Sequence, residues 1–152
     1  ERVGKAIALK AALEGSTLKL AYDDGPTREW RRIEEEATPL AGVWRISGRE
    51  RGGELQEMPL RARRTLKTLS SSRFQWIAMN IETGEFSGTG GGRYTFEDGV
   101  YTEIIEFFSR DNSRVGASLE FKGELREGDW HHSGLSSRGE PIYEVWTKVE
   151  GE

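Results

Sequence analysis

Apolar and polar side chains alternate with a period of two along most of this chain, and the 3.6-residue period of an amphipathic helix is almost missing. That patterning calls for strands with one buried face, hence an all-β fold. The clearest segments are Val43 to Ser47, Phe74 to Asn80, Arg93 to Phe96, Tyr101 to Phe108, Ser118 to Leu125, Trp130 to Ser133 and Ile142 to Val149. Between them stand Glu82-Thr83-Gly84-Glu85, Glu97-Asp98-Gly99, Asp111-Asn112 and Glu127-Gly128, which suit tight antiparallel turns. In Leu60 to Leu69, Pro59 could open a short helix and Arg61, Arg63 and Arg64 form a solvated face; the second half, Thr65 to Leu69, reads as a strand. About eight short antiparallel strands would leave exposed edges in an open sheet, so closure into a barrel is expected.

The start of the chain repeats its end. Val3-Gly4-Lys5-Ala6-Ile7-Ala8-Leu9-Lys10-Ala11-Ala12-Leu13 aligns without gaps on Val115-Gly116-Ala117-Ser118-Leu119-Glu120-Phe121-Lys122-Gly123-Glu124-Leu125, and Glu29 to Glu34 match Val145 to Glu150, Trp30 falling on Trp146. In both copies the apolar residues keep one parity and Lys10 and Lys122 keep the other. Residues 1–36 therefore read as the last three strands of an upstream repeat, partial or swapped, and residues 38–150 as one complete copy. A terminal third of a barrel cannot bury its own apolar face. It could add to the following barrel, exchange strands in a swapped dimer, or belong with an upstream domain of a larger polypeptide.

Composition narrows the chemistry. The 152 residues fit one domain, or one domain and a fragment. No run approaches the roughly 18 apolar residues of a membrane span, and no basic-then-apolar targeting signal opens the chain. With no cysteine there is neither a disulfide, a thiolate nucleophile nor a cysteine-ligated zinc. The 22 basic and 26 acidic side chains, a net charge of −4, are mixed along the chain, so nucleic acid is not an expected partner. Gly88-Thr89-Gly90-Gly91-Gly92 lacks the following helix and Lys-Ser/Thr of a phosphate loop, and reads as a turn or bulge at the barrel mouth. Ser70-Ser71-Ser72 and Ser136-Ser137 read as loop serines, and no Gly-x-Ser-x-Gly elbow exists.

Gly42-x-Trp44 resembles the opening strand of lipocalins and other calycin barrels. A longer similarity, over residues 40–150, is to bacterial lipocalin-like domains of the uncharacterised secreted type, many from Bacteroidetes-type genomes. It rests on Lys67-Thr68-Leu69, Phe74-Gln75-Trp76, Thr83-Gly84, Gly90-Gly91-Gly92-Arg93-Tyr94-Thr95-Phe96, Tyr101 to Phe107, Val115-Gly116, Gly128-Asp129-Trp130 and Glu144 to Val149, in that order. The resemblance implies an up-and-down, lipocalin-like barrel of about eight strands. It also implies that Trp44 closes the barrel floor beneath a basic residue, Lys148 or Arg93, and suggests a periplasmic or secreted protein, the cytoplasm staying open. It implies no activity, because these domains share no assigned reaction.

A barrel of eight strands is either filled or holds one small ligand. Trp76 with Phe74 and Ala78, Tyr94 with Phe96, Leu119 with Phe121, and Tyr143 with Val145 are the expected inward sets. On Tyr101 to Phe108 each face carries one glutamate, Glu103 or Glu106, so a carboxylate enters the barrel whichever face turns in, paired with Arg45, Arg93 or Lys122 or set at the rim. His131 and His132 are adjacent, so only one faces the lumen; the ungapped repeat favours His132. No His-x-His or His-Glu-x-x-His spacing occurs, so neither a metal nor another cofactor is called for. Three readings follow. The foremost is a module binding a small apolar or amphipathic ligand against Trp76, Tyr94, Tyr101 and Trp130, oriented by Glu103, Glu106 or His132. The alternative is a barrel isomerase or hydrolase using His132 with Glu103 or Glu106 as acid and base. The third is a packed structural domain.

Overall fold

The computed structural model describes residues 6–23, 25–33, 36–136 and 138–149. Val3, Gly4, Lys5, Glu34, Ser137 and Glu150, used in the sequence comparison or read as loop, lie outside them. The chain forms two compact units, Glu1–Glu36 and Ala37–Glu152.

The first unit is an antiparallel three-stranded sheet of β1 (Leu9–Glu14), β2 (Thr17–Tyr22) and β3 (Arg28–Arg31), in that order. Gly15, at φ +57°, makes the first turn in the left-handed region. The register puts Leu9 opposite Tyr22, Ala11 opposite Leu20, Leu13 opposite Leu18 and Leu18 opposite Trp30, so these side chains share one face. Lys19 lies on the other face, with its ammonium 2.7 Å from Glu14 and 3.9 Å from Glu29.

The second unit comprises β4 (Gly42–Arg51), β5 (Glu54–Glu57), β6 (Arg63–Leu69), β7 (Arg73–Asn80), β8 (Phe86–Glu97), β9 (Val100–Phe108), β10 (Ser118–Arg126), β11 (Asp129–Leu135) and β12 (Pro141–Lys148). From β6 to β12 each strand pairs with the next, β6 pairs with β4, and β12 returns to β4, with Lys148 opposite Trp44. Eight antiparallel strands thus close a barrel, and β5 folds back on the far end of β4 as a hairpin outside the ring. Asp98-Gly99 and Glu127-Gly128 both have positive φ, the two-residue hairpin turn whose twist matches the flanking strands. The segment before Thr65 differs from expectation: Leu60 and Arg61 are irregular, and the strand already begins at Arg63.

Three β-bulges set which residues point inward. On β9, Gly91 faces Phe107 and Gly92 faces Ile105, which leaves Glu106 as the extra residue and turns Phe108 toward the lumen in place of Phe107. On β4, Val145 faces Gly48 and Trp146 faces Ile46, so Ser47 is extra and Arg49 swings inward opposite Glu144. On β8, Ser87 is skipped between the Ala78–Gly88 and Met79–Phe86 pairs. The glycine run is therefore strand, not a turn at the mouth. A Cβ on Gly90 would lie 2.7 Å from Trp76 Nε1, and one on Gly92 only 2.0 Å from the Ile104 carbonyl, so these positions admit nothing larger.

One end of the barrel is packed shut by Leu40, Trp44, Tyr94, Tyr101, Phe121, Trp130 and Trp146. Trp44 donates its indole N–H to the Leu40 carbonyl at 2.7 Å, and Lys148 stands 5.6 Å over its ring. Tyr94 hydrogen-bonds Thr38 and donates to the Ser70 carbonyl, at 2.5 and 2.6 Å.

Candidate functional site

Above that aromatic floor the lumen opens into a cavity of about 810 Å³. Its apolar wall comes from Phe74, Trp76, Ile105, Phe108, Phe121 and Ile142. The mouth lies among the β9–β10 loop, the β11–β12 loop and the end of β4, where Arg110 donates to the Ser87 carbonyl at 2.9 Å and stands 5.3 Å over the Trp76 ring.

Between floor and mouth sits a layer of buried polar groups. Lys67, on β6, is 5% exposed and bonds Glu103, on β9, which is 7% exposed. Its ammonium also lies 5.0 to 5.5 Å from the ring centres of Tyr101, Trp130, Phe74 and Trp146, so aromatic faces take the place of water around it. Glu144, on β12, accepts a hydrogen bond from Arg49 and one from Trp146 Nε1 at 3.2 Å. Both carboxylates therefore meet a cation, as burial requires.

His132, on β11, is different. It is 3% exposed, its ring is 4.2 Å from that of Phe121, and neither ring nitrogen has a hydrogen-bond partner among the described residues. Glu144 Oε2 lies 3.8 Å from Nδ1, beyond hydrogen-bond reach. Burial, followed by the positive charge of Lys67, pushes the imidazole well below its ordinary pKa, so it is neutral at pH 7. A neutral imidazole presents one donor and one acceptor. Burial and the charge of Glu103 likewise keep the Tyr101 phenol protonated.

Of the residues singled out in the sequence, the structure brings Trp76, Glu103 and His132 to the cavity lining. Tyr94, Tyr101 and Trp130 are buried beneath it, in the packed floor. Glu106 requires correction: as the bulged residue of β9 it points outward, half exposed, 2.8 Å from Arg93 Nε. It can neither orient a lumen ligand nor serve as acid or base with His132. The expected partners of the inward glutamate also change, since Glu103 pairs with Lys67 and not with Arg45, Arg93 or Lys122. Tyr143 faces outward and hydrogen-bonds His131 at 2.7 Å; Ile142, Glu144 and Trp146 carry the inward parity of β12. Sequence reasoning missed Lys67, Glu144 and Arg49. Lys67 shares parity with the buried Leu69, a signal that was present; Arg49 had none, because only the bulge at Ser47 turns it inward.

These features give the second unit the fold of a lipocalin-like barrel: eight antiparallel strands, a tryptophan-sealed floor and an open cavity. Among solved structures, the chain is similar to a lipocalin-like protein from Bacteroides uniformis, at 15% identity and a TM-score of 0.50, covering 72% of this chain and 98% of that one. A second similar structure is an uncharacterized protein from Bacteroides eggerthii, at 16% identity and a TM-score of 0.48, with coverage of 72% and 98%. No family model and no curated protein matches the sequence.

Proposed function

We propose that the barrel binds one small molecule with an apolar body and a single uncharged polar group, a phenol or alcohol, inserted polar end first. The observation that carries this reading is His132, whose two ring nitrogens are buried without a hydrogen-bond partner among the described residues, at the wall of an open cavity. An unsatisfied buried donor or acceptor costs about 1 to 3 kcal/mol, and a ligand hydroxyl would relieve it. The cavity, at about 810 Å³, lies within the usual range for ligand sites of roughly 300 to 1,000 Å³. Beside His132 charge selects against an ionised group, because Lys67 and Arg49 are already neutralised by Glu103 and Glu144 and a carboxylate there would meet those two acids, while Arg110, Arg114 and Arg138 stand out at the mouth.

Calorimetric titration with 2-naphthol, 2-naphthoate and naphthalene tests the reading. The expected order places 2-naphthol tightest, and His132→Leu should weaken it by about tenfold, the worth of one hydrogen bond, while sparing naphthalene. Absence of 2-naphthol binding, or equal affinity in the variant, would end the proposal.

A further inference from the structure

The barrel wall carries a second concavity. β4 and β6 pair only from Gly42 to Arg45, and beyond that point the strands part, leaving a groove of about 350 Å³. Arg45, Arg49, Arg51, Arg61, Arg63 and Arg64 line it, against Glu57 as its one acid, over a base that includes Ile46, Met58 and Leu60. Arg49 pairs with Glu144; among the described residues Arg45, Arg51, Arg61, Arg63 and Arg64 form no ion pair. Arg64 Nη1 is buried with no hydrogen-bond partner among the described residues. In a chain of net charge −4, so many guanidinium groups beside a single acid give this concavity a locally positive potential that favours an anion.

We propose that this groove is a binding site for a small organic anion, a phosphate or carboxylate joined to a short apolar group. The guanidinium groups offer paired donors to the anion's oxygens, and the apolar base takes the rest of the molecule. The groove shares Arg49 and Thr65 with the lumen lining, but His132 does not line it and its ligand is charged, so the two readings can fail separately. NMR titration with phenyl phosphate, benzoate and phenol tests it and separates the two anion types. The expected result is that phenyl phosphate or benzoate shifts the Arg61, Arg63 and Arg64 side-chain N–H signals and that phenol does not. Affinity should fall with added salt, and by about tenfold or more in Arg61→Gln/Arg63→Gln, both exposed positions, yet hold in His132→Leu. Equal binding by the arginine variant, or no binding of either anion, would overturn the site.

A second proposal rests on a different observation, the strand registers. Leu9 opposite Tyr22 answers to Phe121 opposite Gly134, Ala11–Leu20 to Gly123–His132, Leu13–Leu18 to Leu125–Trp130, Leu18–Trp30 to Trp130–Trp146, and Leu20–Arg28 to His132–Glu144. Every pair matches without slippage, so β1–β3 repeats the pairing of β10–β12 residue for residue. Yet Leu9, Leu18 and Trp30 are exposed, between 37% and 42%, where their counterparts Phe121, Trp130 and Trp146 are buried in the barrel core. In the barrel, β10 continues to β9 and β12 to β4, the two edges for which β1 and β3 have no neighbour in their own sheet. We infer that β1–β3 closes a second barrel whose remaining strands precede residue 6 in the same polypeptide, as β4–β9 precede β10. Charge complementarity sharpens the inference: Arg28 stands where Glu144 does, so the upstream strand equivalent to β4 should present an acid in the place of Arg49.

Hydrogen exchange tests this on the full chain and on a version in which residues 37–117, with Arg49→Glu in the added copy, are repeated directly ahead of Ala6, the position equivalent to Ser118. The added strands should slow exchange of the β1–β3 amides by about 100-fold or more, and Leu18→Asp should abolish the gain. Unchanged exchange in the extended chain would overturn the inference.

Discussion

Replacing Lys67 by methionine keeps the length of the side chain and removes its charge. Glu103 then becomes a carboxylate at 7% exposure with no counter-ion, facing Tyr101 and the indole rings that had surrounded the ammonium. Removing one partner of a buried pair costs about 3 to 5 kcal/mol, a fifth or more of the roughly 5 to 15 kcal/mol that holds a domain of this size together. The ring contacts add little beyond that figure, because the same ammonium makes all of them and they are not additive. A buried carboxylate without a cation gains from binding a proton, so the folded variant takes up protons that the unfolded chain does not. The deficit should therefore shrink on acidification, by at most about 1.4 kcal/mol per pH unit. Urea unfolding of the wild type and Lys67→Met at pH 8 and pH 5.5 reads both quantities, and Lys67→Met/Glu103→Leu should recover most of the loss. A deficit below about 1 kcal/mol at pH 8, or one that does not change with pH, would refute the reasoning.

Wild-type stability should fall as pH drops below about 6.5, by up to about 1.4 kcal/mol per unit, because unfolding frees the buried neutral His132 to take a proton; His132→Leu should flatten that slope in urea midpoints. Gly92→Ala sets a Cβ against the Ile104 carbonyl and should cost about 3 kcal/mol or more, seen as a drop in thermal midpoint. Glu127→Asn, at φ +53°, should stabilise by several tenths of a kcal/mol in the same melt, since asparagine accepts the left-handed region more readily.

The alternation of side chains was enough to read an antiparallel barrel, because on an unbroken strand parity alone decides what is buried. Tyr101, Glu103 and Ile105 on β9 and Trp130 and His132 on β11 show this directly. The reading fails where a bulge inserts a residue. Glu106 leaves the lumen and Phe108 enters it through one such insertion, and Arg49 turns inward through another. No pattern in the flanking residues marks either, since a bulge is fixed by the ladder on both strands. Tyr143 was misplaced for another reason. Both parities of β12 look apolar from sequence, and only its pairing with β11, which sets Trp146 opposite Trp130, selects between them. Lys67 was passed over because a lysine on a strand normally faces water; its burial depends on Glu103, a partner 36 residues away.

The most direct measurement is the long-range proton–nitrogen spectrum of the His132 imidazole, recorded at pH 7 with and without saturating 2-naphthol. A neutral ring in the free protein whose two nitrogens shift on ligand addition, together with contacts from the naphthol to Trp76, is the expected result. A ring that is unchanged while 2-naphthol binds, or one already protonated at pH 7, would contradict a lumen built to hold a neutral polar ligand.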